Sequence, residues 1–175
     1  MNSIKIYHQL TNSSLQSVLS KGLRKTSRGA KGDNDLIIKT DAFLDKYIPE
    51  ELKKAGVSRN NNIYGYIGTD QALIDIKDGA SRPLSEKIQE AGTALLHLSV
   101  TPSRCYISDI DLYDEIKAAI KNNRSEEKVM PLVFLYWKRL IPLPSFSLKR
   151  ISRPEAMITY DIPPDCITVL GPRTI

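Results

Sequence analysis

The stretch IKIYHQLTNSSLQSVLSKGL, residues 4–23, changes its period halfway along, and that change sets the class of fold. Its first half alternates: Ile4, Ile6 and His8 fall on one side of a strand, with Lys5, Tyr7 and Gln9 on the other. In the second half Leu15, Val18 and Leu19 recur at the spacing of one helical face. Asn12 or Ser13 is placed to cap that helix by accepting from its free N–H groups. Gly22 is placed to end it, because a residue without a Cβ takes up the positive-φ backbone common at helix C-termini. His8, one of two histidines in 175 residues, is therefore expected half-buried, at a strand end beside a helix entrance. On position alone it reads as a core histidine satisfied by a backbone carbonyl.

The same mixture continues outward from this stretch. KTSRGAKGDNDL (25–36) reads as a polar, basic loop, and DAFLDKYIPEELKKAG (41–56) as one or two short helices ending at Gly56. NNIYGYIG (61–68) is a strand with Ile63, Gly65 and Ile67 on one side and Tyr64 and Tyr66 on the other. RPLSEKIQEAG (82–92) reads as a helix capped by the Ser85 hydroxyl. TALLHLSVTPSRCYISD (93–109) is two strands parted at Thr101-Pro102, with His97 as buried structure in the first. DLYDEIKAAIKNN (111–123) and EKVMPLVFLYWKRL (127–140) are helices, the second bent or started at Pro131. RPEAMITYDIPPDCITVL (153–170) closes with a strand, a Pro-Pro turn and another strand. Alternation turns Glu155, Met157, Thr159 and Asp161 toward a cleft and Ala156, Ile158, Tyr160 and Ile162 toward the core. Strands outnumber long helices, so the class is α+β, a substantially antiparallel sheet with helices packed on it.

Composition narrows the function classes. Hydrophobic residues at 41% and charged residues at 26% describe an ordinary globular chain, and 175 residues suit one domain spanning 1–175. No apolar run reaches membrane-spanning length and the first residues lack a signal peptide's hydrophobic centre, so the expected location is cytoplasmic. Cys105 and Cys166 have no CxxC spacing, which signals neither a disulfide framework nor a zinc site, and both are expected as buried, inert thiols. No metal is called for. No GxGxxG or GKS/T turn appears, against a doubly wound nucleotide fold or a P-loop. A formal charge of +5 suits an anionic partner such as a nucleotide or nucleic acid.

Three of these stretches together resemble a known family. IYHQLTNSSLQSVLSKGL (6–23) is similar to the opening strand and helix of the ADP-ribosyltransferase superfamily. NNIYGYIGTDQAL (61–73) resembles its tyrosine-bearing strand, and RPEAMITYDIPPDCITVL (153–170) its closing glutamate strand with an Ile-Pro-Pro turn. The last feature is like that of the branch containing DNA-modifying toxins and RNA 2′-phosphotransferases. The resemblance implies a split antiparallel sheet with flanking helices around an NAD cleft. It implies His8 on a ribose hydroxyl of NAD, Tyr64 or Tyr66 stacked on nicotinamide, and Glu155 at the reacting ribose. Many members carry Ser or Thr two places after the histidine; here Leu10 stands there and Thr11 is one further on. Arg153 stands two places before the glutamate, where the family often has an acidic residue or glutamine.

The chemistry wants such residues. Cleaving nicotinamide from ribose spreads positive charge over the sugar ring, which a fixed carboxylate stabilises. Among the arginines, Arg59 is the choice to meet the pyrophosphate with its planar fork. Arg24, Lys25, Arg28 and Lys31 form a basic run suited to an acceptor, either nucleic acid or protein. The expected activity is transfer of ADP-ribose from NAD to a macromolecule, as a toxin would perform it, with an antitoxin or ADP-ribosyl hydrolase as partner. The alternatives are a catalytically silent NAD- or nucleic-acid-binding module and an RNA 2′-phosphotransferase-like enzyme.

Overall fold

The period change at residues 4–23 appears in the computed structural model, which describes residues 4–25, 34–74, 81–148 and 150–171, as strand β1 (Lys5–Thr11) followed directly by helix α1 (Asn12–Lys21). The helix starts one residue early, so Thr11, extended at ψ 146°, occupies the cap position expected of Asn12 or Ser13. Gly22 ends it at φ +81°, and a Cβ there would stand 2.3 Å from the Ile162 carbonyl oxygen. Leu23 then forms a bridge with Ile162, tying the opening of the chain to its close.

The further elements are α2 (Asp35–Lys46), α3 (Glu50–Lys54), β2 (Ile63–Gly68), β3 (Ala72–Ile74), β4 (Ser81–Pro83), α4 (Leu84–Ile88) and β5 (Thr93–Leu98). After them come β6 (Cys105–Asp109), α5 (Ile110–Lys121), α6 (Glu126–Lys138), β7 (Ile141–Pro142), β8 (Pro154–Ile158) and β9 (Ile167–Leu170). The basic loop ends earlier than its polar composition indicates, because the Asn34 side chain caps α2 by accepting from the amides of Leu36 and Ile37. Ser85 lies inside α4 and caps nothing; Pro83 stands at that helix's cap position. Helix α6 passes through Pro131 from a start at Glu126. Three short strands, β3, β4 and β7, have too few residues to show a period.

The sheet runs β7-β6-β8-β2-β1-β5-β9, with β3 and β4 added beside β2, and every strand pairing among the described residues is antiparallel. The fold is α+β. Closing strand β8 lies at the centre, between β6 and β2, buried on both faces. Ala156 and Ile158 join Ile6, Ile63 and Ile67 in the core under α1, whereas Met157 joins the core under α2, α5 and α6. The expectation that Met157 and Thr159 face a cleft is thus corrected: they are 0% and 1% exposed, covered by helices that alternation alone does not reveal. Of the cysteines, Cys105 is buried, and burial pushes its thiol up to about 12, but Cys166 is only half-buried.

Strands β1 and β2 pair only from Lys5↔Gly68 to Tyr7↔Tyr66, while β1 stays with β5 as far as Thr11↔Thr93. The sheet therefore opens between β1 and β2 beyond Tyr7. Gly65 makes the close approach possible at that point, since a Cβ on it would lie 2.7 Å from the Tyr7 carbonyl oxygen and 3.0 Å from Ile6 Cγ2.

Two outcomes follow from this architecture. Gly65→Ala meets immovable backbone, so urea titration should show a loss of about 1–3 kcal/mol, the usual cost of overpacking. His97, half-buried on β5 with its ring 5.7 Å from that of Tyr7, has its pKa lowered by burial and by Lys5. The unfolded chain then binds the proton better, and stability should fall as pH drops below about 6.5. In His97→Gln, the denaturation midpoint measured across that range should lose part of this slope.

Candidate active site

One face of the sheet carries two separate covers. Helices α2, α5 and α6 close over β6, β8 and β2, around Leu44, Ile116, Val133 and Met157. The hairpin β3–β4 and helix α4 close over β1 and β5, around Tyr7, Leu73 and Leu95. Between them lies a cleft of about 620 Å³, with Tyr66 and Glu155, directly opposite one another in the β2–β8 register, among its lining. Ile110, Tyr113, Asp114 and Lys117 of α5 line one side and Leu73, Ile74, Arg82 and Lys87 the other.

Glu155 is a carboxylate on a central strand, its side chain 12% exposed. Its Oε2 accepts from Arg59 Nη1 at 2.7 Å and, at 3.5 Å, from the Ser108 hydroxyl. Its Oε1 accepts no hydrogen bond from any described residue.

Arg59 explains how that carboxylate is held. The residue is 1% exposed, its Nε donates to Asp41 Oδ1 at 3.2 Å, and its Nη1 also donates to the Tyr136 hydroxyl at 3.1 Å. The rings of Tyr64 and Tyr113 lie 4.4 and 4.3 Å from the guanidinium carbon. Burial works against its charge, yet Tyr136, Tyr64, Glu155 and Asp41 outweigh that, and the guanidinium pKa lies well above its ordinary value. The loop bearing Arg59 is gripped by Asp45, whose carboxylate accepts from the amides of Arg59 (2.6 Å) and Asn60 (3.1 Å) and from the Ser58 hydroxyl (2.6 Å). Aspartates 41 and 45 are one turn apart on α2, so one helix face holds Arg59 by both its side chain and its backbone. The Trp137 indole, donating to the Leu44 carbonyl at 3.0 Å, fixes α2 against α6.

The structure separates the residues that the sequence grouped. Tyr66, Arg59 and Glu155 line the cleft together. The Arg59 guanidinium, expected at a pyrophosphate, is engaged by Asp41, Tyr136 and Glu155. Tyr64 is in the cage around Arg59, its hydroxyl donating to the Arg59 carbonyl, and burial raises its pKa well above the usual value. His8 stands on the Ile6 side of β1, where β1 leaves β2, and its Nδ1–H donates to the Tyr64 carbonyl at 2.7 Å. It is not part of this cleft's lining. Thr11 is exposed at the end of β1, its hydroxyl near those of Ser13 and Ser14.

Of the expected acceptor residues, Arg24 is exposed and the Lys25 amide donates to Asp161 at 2.8 Å, away from the cleft lining; Arg28 and Lys31 lie outside the described residues. The cleft has its own cations, Arg82, Lys87, Lys117 and Arg153. They are scattered over some seventy positions and form no run in the sequence. Arg153 bonds Asp111 and Asp114, and Lys117 bonds Asp114. No cluster of three or more metal-ligating side chains occurs among the described residues, nor any helix long and apolar enough to cross a membrane. Comparison with known proteins returned no match to a family model, a curated protein or a solved structure.

Removing one member of a buried charge cluster strands the others. Arg59→Met keeps an unbranched apolar stem but removes the guanidinium that Asp41 and Glu155 share, and it should cost about 3–5 kcal/mol in chemical denaturation. A loss below about 1 kcal/mol would show that the cluster is not a structural keystone.

Proposed function

We propose that the chain is an NAD-dependent ADP-ribosyltransferase whose reacting carboxylate is Glu155. The observation that carries this reading is the carboxylate itself, in the wall of a cleft, anchored through one oxygen by a buried arginine, with its other oxygen accepting no hydrogen bond from the described residues. Further support comes from the three family-like stretches, which form the adjacent strands β8, β2 and β1, and from the opening between β1 and β2 at His8. A cleft of about 620 Å³ is of a size that takes a substantial part of a dinucleotide.

In this reading the bond between the ribose C1′ and the nicotinamide nitrogen breaks, and its electron pair leaves with neutral nicotinamide. Positive charge develops on the ribose, and Glu155 stabilises it. Tyr66 offers the ring surface beside Glu155, whereas His8, for which the resemblance implied a ribose hydroxyl, stands outside this cleft's lining. The acceptor atom then bonds to C1′ and gives its proton to Glu155 or to water. Nucleic acid is the acceptor we propose, on the chain's net charge of +5, which suits an anionic partner.

Nicotinamide release from NAD, followed by chromatography, tests the reading. Glu155→Gln should lower the rate about a hundred- to a thousand-fold with the circular dichroism unchanged. Parent-like turnover in that variant would refute the assignment, and an inert parent that still binds NAD would indicate a silent binding module. With single-stranded oligonucleotides, log affinity should fall with log salt by about 0.7 per phosphate contact, and salt-insensitive or absent binding would move the acceptor to protein.

A further inference from the structure

The last register pair of β1 with β2 is Tyr7↔Tyr66, and beyond it no main-chain ladder ties the two strands among the described residues, although β2 stays bound to β8 through Tyr66↔Glu155. Gln9, two places further along β1 and on the same face as Tyr7, spans the opening with its side chain. Its Oε1 accepts from the Tyr66 hydroxyl at 3.4 Å, while its Nε2 donates to Glu90 Oε2 and, at 2.9 Å, to Thr93 Oγ1. Glu90 Oε1 in turn accepts from Lys87 Nζ at 2.8 Å, and that ammonium lies 5.2 Å from the centroid of the Tyr66 ring. These contacts close a circuit that holds Tyr66 by both its hydroxyl and its ring. We propose that Gln9 is a positioning residue that sets the Tyr66 ring for stacking against the nicotinamide of NAD, with Thr93 and Glu90 fixing Gln9 in turn.

The inference rests on the ADP-ribosyltransferase reading in taking Tyr66 as the stacking surface, and it goes further in saying what holds that surface. Glu90 can only accept, so the amide nitrogen of Gln9 faces it and the amide oxygen is left for Tyr66. Both hydrogens of that amide are taken, by Glu90 and Thr93, which fixes the direction in which the oxygen points. A ring that must first be immobilised by its ligand binds about three- to tenfold more weakly than one already held. The contact of Tyr66 with Gln9 is long for a hydroxyl donor, which keeps the effect on this modest scale. Glu155 is anchored separately, by Arg59. Gln9 therefore acts on the binding of nicotinamide and not on the charge that meets the ribose. An interaction made equally in bound substrate and transition state changes KM and leaves kcat alone.

Gln9→Met keeps the reach of the side chain and removes its acceptor and both donors. Steady-state nicotinamide release should show KM for NAD raised about three- to tenfold, with kcat within about twofold of the parent. Calorimetric titration with NAD should show Kd weakened by the same factor. Tyr66→Phe, which keeps the ring and removes the hydroxyl, should match Gln9→Met, and the double variant should add no more than about twofold to either single change. Should Gln9→Met fold poorly, Gln9→Ala, too short to reach Tyr66, carries the same expectations. Unchanged KM and Kd in a folded Gln9 variant overturn the inference and leave the transferase reading standing. So do fully multiplicative losses in the double variant, which separate Gln9 from Tyr66, and so does a parallel fall of kcat and melting temperature, which marks a purely structural glutamine. A parent chain that binds NAD without releasing nicotinamide refutes the transferase reading, and the Kd comparison then decides on Gln9 alone. A parent that binds no NAD overturns both.

Discussion

The Arg59 guanidinium is a full charge with almost no contact with water, and much of the arrangement on that face of the sheet is the condition for keeping it there. Desolvating an arginine costs several kcal/mol unless its donors are met by acceptors of opposite charge. Asp41 comes from α2, Tyr136 from α6, Tyr113 from α5 and Glu155 from β8, so four elements distant in sequence must be docked before the cation is satisfied. The apolar cluster of Leu44, Ile116, Val133 and Met157 surrounds this polar centre. Hydrophobic burial supplies the driving force for that layer, while the guanidinium restricts how the layer can be assembled.

The same constraint shapes the cleft. A carboxylate on a strand buried from both sides is tolerable only beside a buried cation, and Arg59 is that cation. Because the loop of Arg59 precedes β2 and Glu155 lies on β8, the two join where Tyr66 and Glu155 face each other across the ladder. The helical cover stops at this point and the α4 cover begins beyond it. The cleft is what remains between two independently packed layers, with a polar floor already fixed by the demands of folding.

How much of this could be read from the chain follows from the range of each interaction. The strand-to-helix change at residues 4–23, the two strands within 93–109 and helix α5 were legible because local period reports them. The start of α2 was hidden because Asn34 caps it from within a polar run, and β3, β4 and β7 are too short to show alternation. At the site, Glu155 and Tyr66 were named from the resemblance. Asp41 was not, since it meets Arg59 across 18 residues and nothing near it in sequence marks it. The cleft cations were missed for the same reason, while the contiguous run from Arg24 to Lys31 drew attention because it is contiguous.

The face assignments on β8 show where period two stops being informative. On an edge strand or a half-covered sheet, alternation separates core from solvent; on a central strand with helices on both sides it separates only one core from another. Met157 and Ala156 point in opposite directions and are equally buried. Against that background Glu155 stands out, because a charged residue among PEAMI belongs to a strand otherwise fit for complete burial. The useful question about such a residue is which cation in the chain is buried with it. Among the 25 lysines and arginines, Arg59 lies just before β2 and Arg104 just before β6, the two strands that flank β8; Arg59 reaches Glu155, whereas Arg104 donates to the Thr159 carbonyl. Strand adjacency, once the antiparallel order is known, therefore narrows the partners of an isolated acidic residue to a few cations, and the docking of α2 selects among them.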